Sequence, residues 1–411
     1  MNQLHKRVVV TGLGILSPIG NTVQDAWSSC IDGESGITTV DIDIKNCPIS
    51  VGGRLKDFNP KQYLDPKEVR RIDPFIQYGV IAANQSIIDS GILEFTGLDY
   101  SRVGVNFGAG IGGIDSIEKN KMLLESKGFK KVSPFFVPGS IINMISGLVS
   151  IKHGFMGPNI SAVTACSTGN HCIGNAARFI SYGDADVMIA GGAEMASTPL
   201  SISGFLAARA LTKNQDPKTA SRPWDLNRDG FVLSDGAGSL VLEEYNHAKN
   251  RDANIYAEII GFGMSSDAYH MTAPPEDGRG AELSMLNALN DAKINSEDVN
   301  YINAHGTSTL LGDLAETIAL KKVFGSSVPS ISSTKSMTGH TLGAAGAIES
   351  IFSIKSINDG IIPPTINLLT PDPKCNLDYT PIHAIEKNVS IAINNSFGFG
   401  GTNSTLVFQK I

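Results

Sequence analysis

Val9-Val10-Thr11-Gly12-Leu13-Gly14, near the start of the chain, is echoed past its middle by Ile259-Ile260-Gly261-Phe262-Gly263. Each stretch is a short β-branched run closing on two glycines one residue apart, a strand ending in a tight connection. Further apolar runs of strand length recur at Val103–Phe107, Asp186–Ala190, Gly238–Leu242, Tyr301–Ala304 and Ser390–Asn394. Between them, Asn170–Ser181 and Gly343–Asn358 carry helical spacing. Strands alternating with helices predict an α/β architecture with buried sheets. The echo predicts two similar halves in one compact body, 1–252 and 253–411. Gly12-x-Gly14 after a strand also invites a dinucleotide-binding reading. Ser17 and Pro18 stand where the third glycine would meet a pyrophosphate, so that reading fails.

The rest of the composition narrows the class. Hydrophobic residues are 42% and charged residues 18% of 411, with 43 glycines and no Pro- or Ser-rich linker, as in a globular chain with a large core. The net charge of −7, from 33 basic and 40 acidic residues, argues against nucleic acid as a partner. No apolar stretch approaches the roughly 20 residues of a membrane helix. Gly12, Gly14 and Pro18 interrupt the early apolar run, so no targeting segment is expected. Five irregularly spaced cysteines predict a reducing compartment, and a soluble, cytoplasmic protein is the expectation.

Ser161-Ala-Val-Thr-Ala-Cys166-Ser-Thr-Gly-Asn170 places a cysteine among small residues where a helical pattern begins. Small neighbours allow a sharp turn with the sulfur exposed on it. The free N–H groups of the following helix favour the thiolate and lower the thiol pKa. One of those N–H groups also suits a developing oxyanion. Cys30, Cys47, Cys172 and Cys375 lack this setting and read as core or plain surface thiols.

Two histidines stand in comparable places. Asn303-Ala-His305-Gly-Thr307-Ser-Thr309 follows an apolar strand, and Thr334-Lys335-Ser-Met-Thr-Gly-His340 leads through Gly346 into a helix carrying Glu349. Catalytic groups are often carried at such element boundaries. In Asn394-Asn-Ser-Phe397-Gly-Phe399-Gly400-Gly401-Thr402-Asn403 the glycines permit positive φ and close approach to a substrate. Phe397 and Phe399 are there either core plugs or movable walls of an apolar pocket.

These four blocks, in this order, resemble the β-ketoacyl-acyl-carrier-protein synthases, and most closely the type II elongating synthase of bacterial fatty-acid synthesis. The resemblance runs from Arg7 to Phe408 and extends to Arg222-Pro-Trp-Asp225, Arg228-Asp-Gly-Phe231 and Ser265–Met271. It implies a thiolase-like duplicated αβαβα fold, usually paired as a homodimer. It implies a catalytic set in which Cys166 carries the acyl group and His305 and His340 serve decarboxylation. Lys335 would hold the histidines neutral, and Glu349 would pair with Lys335. The N–H groups of Cys166 and Phe399 would form the oxyanion hole, with Phe399 also a gate. Thr307 and Thr309 would contact the pantetheine arm, and Phe397, Ile111 and Phe205 would line the substrate pocket. Phe135 and Phe136 would help close it across the dimer.

The partner implied is an acidic acyl-carrier protein in acyl and malonyl forms. It brings the 4′-phosphopantetheine, so no resident cofactor or metal is expected. Lys67, Arg70 and Arg71, on one helical face, together with Lys130, Lys131 and Arg209, would form its docking patch; plain solvated charge is the alternative for each. Two departures stand out: Leu310 where a proline is usual, and Ser234 where glycine is common. A type I synthase or a polyketide ketosynthase would share the Cys-His-His set. A degradative thiolase or an initiating synthase would not carry His340, and a non-catalytic chain-length factor would lack Cys166. A cysteine hydrolase is the remaining rival.

Overall fold

The computed structural model describes residues 5–411. Its centre is a ten-stranded sheet that runs Ser330–Ser332, Tyr301–Asn303, Ile391–Gly398, Thr402–Gln409, Ala257–Ser266, Val8–Leu16, Gly236–Glu244, Val187–Glu194, Val103–Gly108 and Asn159–Ile160. The order is symmetric about the middle. Val8–Leu16 and Ala257–Ser266 meet antiparallel through Val8, Val9 and Val10 opposite Ile259, Glu258 and Ala257. Moving outward on either side, two antiparallel pairings are followed by two parallel ones.

The repeated glycine pairs now have a cause. A Cβ on Gly12 or Gly14 would lie 2.2 or 2.1 Å from the Ser86 or Ala82 carbonyl, on the helix Pro74–Ser90. On Gly261 or Gly263 it would lie 2.5 or 2.1 Å from the Ala288 or Ser284 carbonyl, on the helix Arg279–Ala292. In each case the bare strand face lets a helix approach its backbone. The register of each strand against its outer neighbour also shifts just before the glycine pair, between Val10 and Gly12 and between Ile259 and Gly261.

Helices Thr168–Tyr182 and Ala345–Asp359 each touch strands from both sides of the centre and pack on each other, so they form a middle layer. Pro74–Ser90 and Arg279–Ala292 cover the outer faces, which completes five layers in the order αβαβα. Ala345–Asp359 is buried nearly all round, which explains its small residues. Its Ser350, Ser353 and Ser356 hydroxyls donate to carbonyls one turn back, at 2.7, 2.8 and 3.0 Å, leaving none unpaired. Among the described residues no helix is long and apolar enough to cross a membrane.

Candidate active site

The candidate catalytic groups collect where the two sides of the sheet meet the ends of the middle helices. Cys166 sits in the turn Ala165–Ser167 that opens the helix Thr168–Tyr182. Ala165 takes φ +50°, a left-handed conformation that costs a non-glycine residue energy and aims the next side chain. His305 follows the strand Tyr301–Asn303, and Lys335 begins the turn after Ser330–Ser332. Both lie beyond the carboxyl ends of parallel strands, the usual place for ligand-facing groups. His340 follows that turn and is pinned by backbone bonds to Val232 and Ser234.

His340 Nε2 lies 3.0 Å from Cys166 Sγ, and the two histidine rings stand edge to face with centroids 5.3 Å apart. Lys335 pairs with Glu349 behind them, with both side chains almost wholly buried. The sequence expectation of an exposed, acidified thiol needs correction on both counts. Cys166 is only 9% exposed, and burial pushes its thiol up to about 12. The Lys335 ammonium and the N–H groups of Phe399 and Cys166 pull the other way without prevailing. Burial and, after it, the Lys335 ammonium hold both histidines well below their ordinary value, so the rings are neutral at pH 7. The resting pair is therefore thiol and neutral imidazole rather than thiolate and imidazolium. Burial raises the Glu349 carboxyl to about 7 against the opposing pull of Lys335.

One thiol and two imidazoles within 4.8 Å are donors a soft cation accepts. The ammonium of Lys335, which already disfavours protonation of both rings, opposes a second positive charge there.

A cavity of about 570 Å³ opens onto these groups. It brings together Cys166, His305, His340, Thr307, Thr309, Ile111, Phe205, Phe397 and Phe399, with Arg209 on its wall. Thr307 and Thr309 hydroxyls bond each other at 3.0 Å. Phe399 is 36% exposed at the tip of the hairpin joining Ile391–Gly398 to Thr402–Gln409, beside Phe205 at 6.5 Å. Gly400 and Gly401, at φ +83° and +70°, make that tip possible. Phe135 and Phe136 line a separate cavity of about 230 Å³ with Arg70 and Arg71, not the catalytic one of the same chain.

Lys67, Arg70, Arg71, Lys130, Lys131 and Arg209 are all exposed. The shared helical face expected for the first three is not formed: Lys67 lies in the single turn Pro66–Val69, Arg70 caps its end, and Arg71 lies beyond it with its guanidinium over Phe135 at 4.5 Å. Asp65 ends the preceding stretch and caps the turn, and Asp73 already caps the next helix, so the turn has no room to lengthen. Ser234 fits because Gly53 and Gly339, the neighbours facing its hydroxyl, have no Cβ. Leu310 opens the helix Leu310–Phe324, where proline is favoured, and its carbonyl accepts from Arg228 at 3.0 Å.

Sequence reasoning passed over two buried carboxylates. Glu316 accepts the backbone N–H groups of His305 and Gly306 at 2.9 and 2.8 Å. Glu194 accepts from Gly110, Ile111, Gly112 and Gly343. Their signal was an acid inside an otherwise apolar pattern: Glu194 ends the run Val187–Glu194, and Glu316 shares a helical face with Asp313.

Residues 5–248 match the family model "Beta-ketoacyl synthase, N-terminal domain", and residues 256–369 match "Beta-ketoacyl synthase, C-terminal domain". The chain belongs to the β-ketoacyl synthase family. Relatives named 3-oxoacyl-[acyl-carrier-protein] synthase 2 from Vibrio harveyi and Coxiella burnetii are 55% and 54% identical, and one from Staphylococcus aureus is 48% identical; each match covers 99% of both chains. Among solved structures, a β-ketoacyl synthase from Burkholderia phymatum superposes with TM-score 0.91 at 34% identity, covering 99% of this chain and 100% of that one. A type II polyketide ketosynthase in complex with its acyl-carrier protein gives the same TM-score, identity and coverage. The fold of this chain is thus shared with both of these solved synthases.

Proposed function

We propose that this β-ketoacyl synthase is a 3-oxoacyl-[acyl-carrier-protein] synthase of fatty-acid elongation. The observation that carries the reading is the 3.0 Å contact of His340 Nε2 with Cys166 Sγ inside a cavity that also holds neutral His305. Identities of 48–55% to synthases so named, against 34% to the polyketide ketosynthase, favour elongation.

In this reading Cys166 Sγ attacks an acyl thioester. A new S–C bond forms, the bond to the carrier's pantetheine sulfur breaks, and the thiol proton passes by way of His340 to the leaving sulfur. Malonyl-carrier then enters, with Thr307 and Thr309 along its pantetheine arm. Breaking the malonyl C–C bond releases CO₂ and leaves an enolate whose oxygen accepts hydrogen bonds from His305 and His340. Neutral imidazoles donate there without giving up a proton prematurely. The enolate carbon attacks the Cys166 thioester while the N–H groups of Cys166 and Phe399 stabilise the oxyanion. The C–S bond breaks, and the returning thiolate takes up one proton.

The test mixes the protein with acyl- and malonyl-carrier protein and follows products by intact mass. Accumulating 3-ketoacyl-carrier with an acyl adduct on Cys166 supports the reading; free fatty acid alone, or no adduct, sinks it and revives the hydrolase.

The carrier docks on the exposed basic residues Lys67, Arg70, Arg71, Lys130, Lys131 and Arg209, the last on the cavity wall. Charge reversal of Lys67, Arg70 and Arg71 is expected to raise KM for carrier-bound substrate roughly 10-fold or more at low salt, with kcat little changed. An unchanged KM removes the docking assignment. We also propose a division into halves 1–252 and 253–411, supported by the symmetric strand order, and a cytoplasmic location.

A homodimer forms in this reading through the edge strand Asn159–Ile160, which is bonded on one side only and flanked by exposed Met156 and Val163. Phe135 and Phe136 then reach the partner's pocket. Light scattering should return twice the chain mass, and a monomer at micromolar concentration would remove this element.

A further inference from the structure

We propose that Glu194 is a positioning residue for acyl-chain selection, holding the Ile111 segment and the Leu342 turn at fixed spacing across Cys166. The inference rests on reading the cavity as the acyl pocket.

Glu194 ends the strand Val187–Glu194 and is fully buried, and the mechanism above does not use it. Its Oε1 accepts from the Ile111 and Gly112 N–H groups, both at 3.0 Å, and its Oε2 from Gly110 at 2.6 Å and Gly343 at 3.1 Å. No lysine or arginine is among these partners, so four backbone N–H groups alone replace the water that a buried carboxylate gives up. The donors come from two segments far apart in sequence. One carries Ile111 and the other carries Leu342, and both side chains line the cavity with Cys166.

The joint admits no slack. A Cβ on Gly110 would lie 2.7 Å from Glu194 Oε2, and one on Gly343 would lie 2.3 Å from the Gly110 nitrogen. A Cβ on Gly192 would lie 2.2 Å from the Gly343 carbonyl. Leu342 is itself held at φ +47°. Such a close-packed joint keeps its geometry only while the acceptor stays in place. Without it, the Ile111 segment and the Leu342 turn separate and the apolar wall retreats.

The test uses Glu194→Gln, which keeps shape but replaces one two-donor oxygen by an amide nitrogen facing N–H groups. The readout is the ratio of kcat/KM for long against short acyl-carriers. A one-methylene change in an apolar pocket alters such ratios by roughly 10–200-fold, so a shift of about 10-fold or more is expected. Ile111→Ala, with the clamp intact, should shift the ratio the same way, and the double variant should add little. Where Glu194→Gln gives no folded protein, Gly110→Ala carries the test, because its methyl displaces the same carboxylate oxygen without removing the charge.

A ratio unmoved while kcat falls evenly for all lengths overturns the proposal, as does full additivity with Ile111→Ala. If the wild type itself makes no 3-ketoacyl product, the condensation reading has failed. If it condenses and only the ratio stays put, this inference alone has failed.

Discussion

Cys166→Ala is expected to lower the rate of 3-ketoacyl formation by roughly 10⁴-fold or more while leaving the protein folded. The fold survives because the change removes one sulfur from a cavity wall, a small loss compared with deleting a core side chain. The rate collapses because no other group near His305 and His340 can hold the acyl chain. The next cysteine along the helix, Cys172, is fully buried at its own position in the middle layer. The measurement is single-turnover product formation, with intact mass to show that the acyl adduct is gone. Condensation within tenfold of wild type would mean that the nucleophile is elsewhere. The same sample separates the half-reactions: decarboxylation of malonyl-carrier needs the histidines rather than the sulfur, so it should persist in the alanine variant.

The second large effect lies behind the histidines. Lys335 and Glu349 are 1% and 2% exposed at their side chains and paired with each other. Removing one partner leaves the other charge buried without compensation, which costs about 3–5 kcal/mol. Glu349→Ala should therefore lower the urea midpoint markedly. Replacing both by apolar residues of similar volume, Lys335→Met with Glu349→Leu, should restore most of the stability. Condensation should not return with it. Without the ammonium, one influence that keeps His305 and His340 neutral is gone, and the hydrogen-bond donors for the enolate lose their fixed surroundings. A Glu349→Ala protein as stable as wild type would mean that the pair does not bear on the fold. A double variant as active as wild type would mean that Lys335 has no part in the chemistry.

Much of the architecture was legible in the chain because the relevant forces are local. Seven expected strands fall on observed ones, and both expected helices become the middle layer. Val187–Ala190 was visible because a strand buried on both faces needs an unbroken apolar run. The glycine echo at Gly12 and Gly261 carried the duplication, since a helix lying against strand backbone leaves no room for a Cβ. The long helix Pro74–Ser90 was overlooked: it is buried over most of its circumference, so its apolar residues show weak amphipathic periodicity.

Cys166, His305, His340 and the hairpin around Phe399 were all legible in the chain as candidate groups. A cysteine among small residues, two histidines between glycine and hydroxyl residues, and a glycine-rich hairpin are each set by short-range backbone geometry. Their distances and their protonation belonged to the tertiary structure alone. Cys166 and His340 are 174 residues apart in the chain, and only the packing of one side of the sheet against the other brings them to 3.0 Å. The thiol is raised and the imidazoles are lowered because that packing excludes water. Desolvation depends on everything surrounding a group, and no stretch of neighbouring residues encodes it.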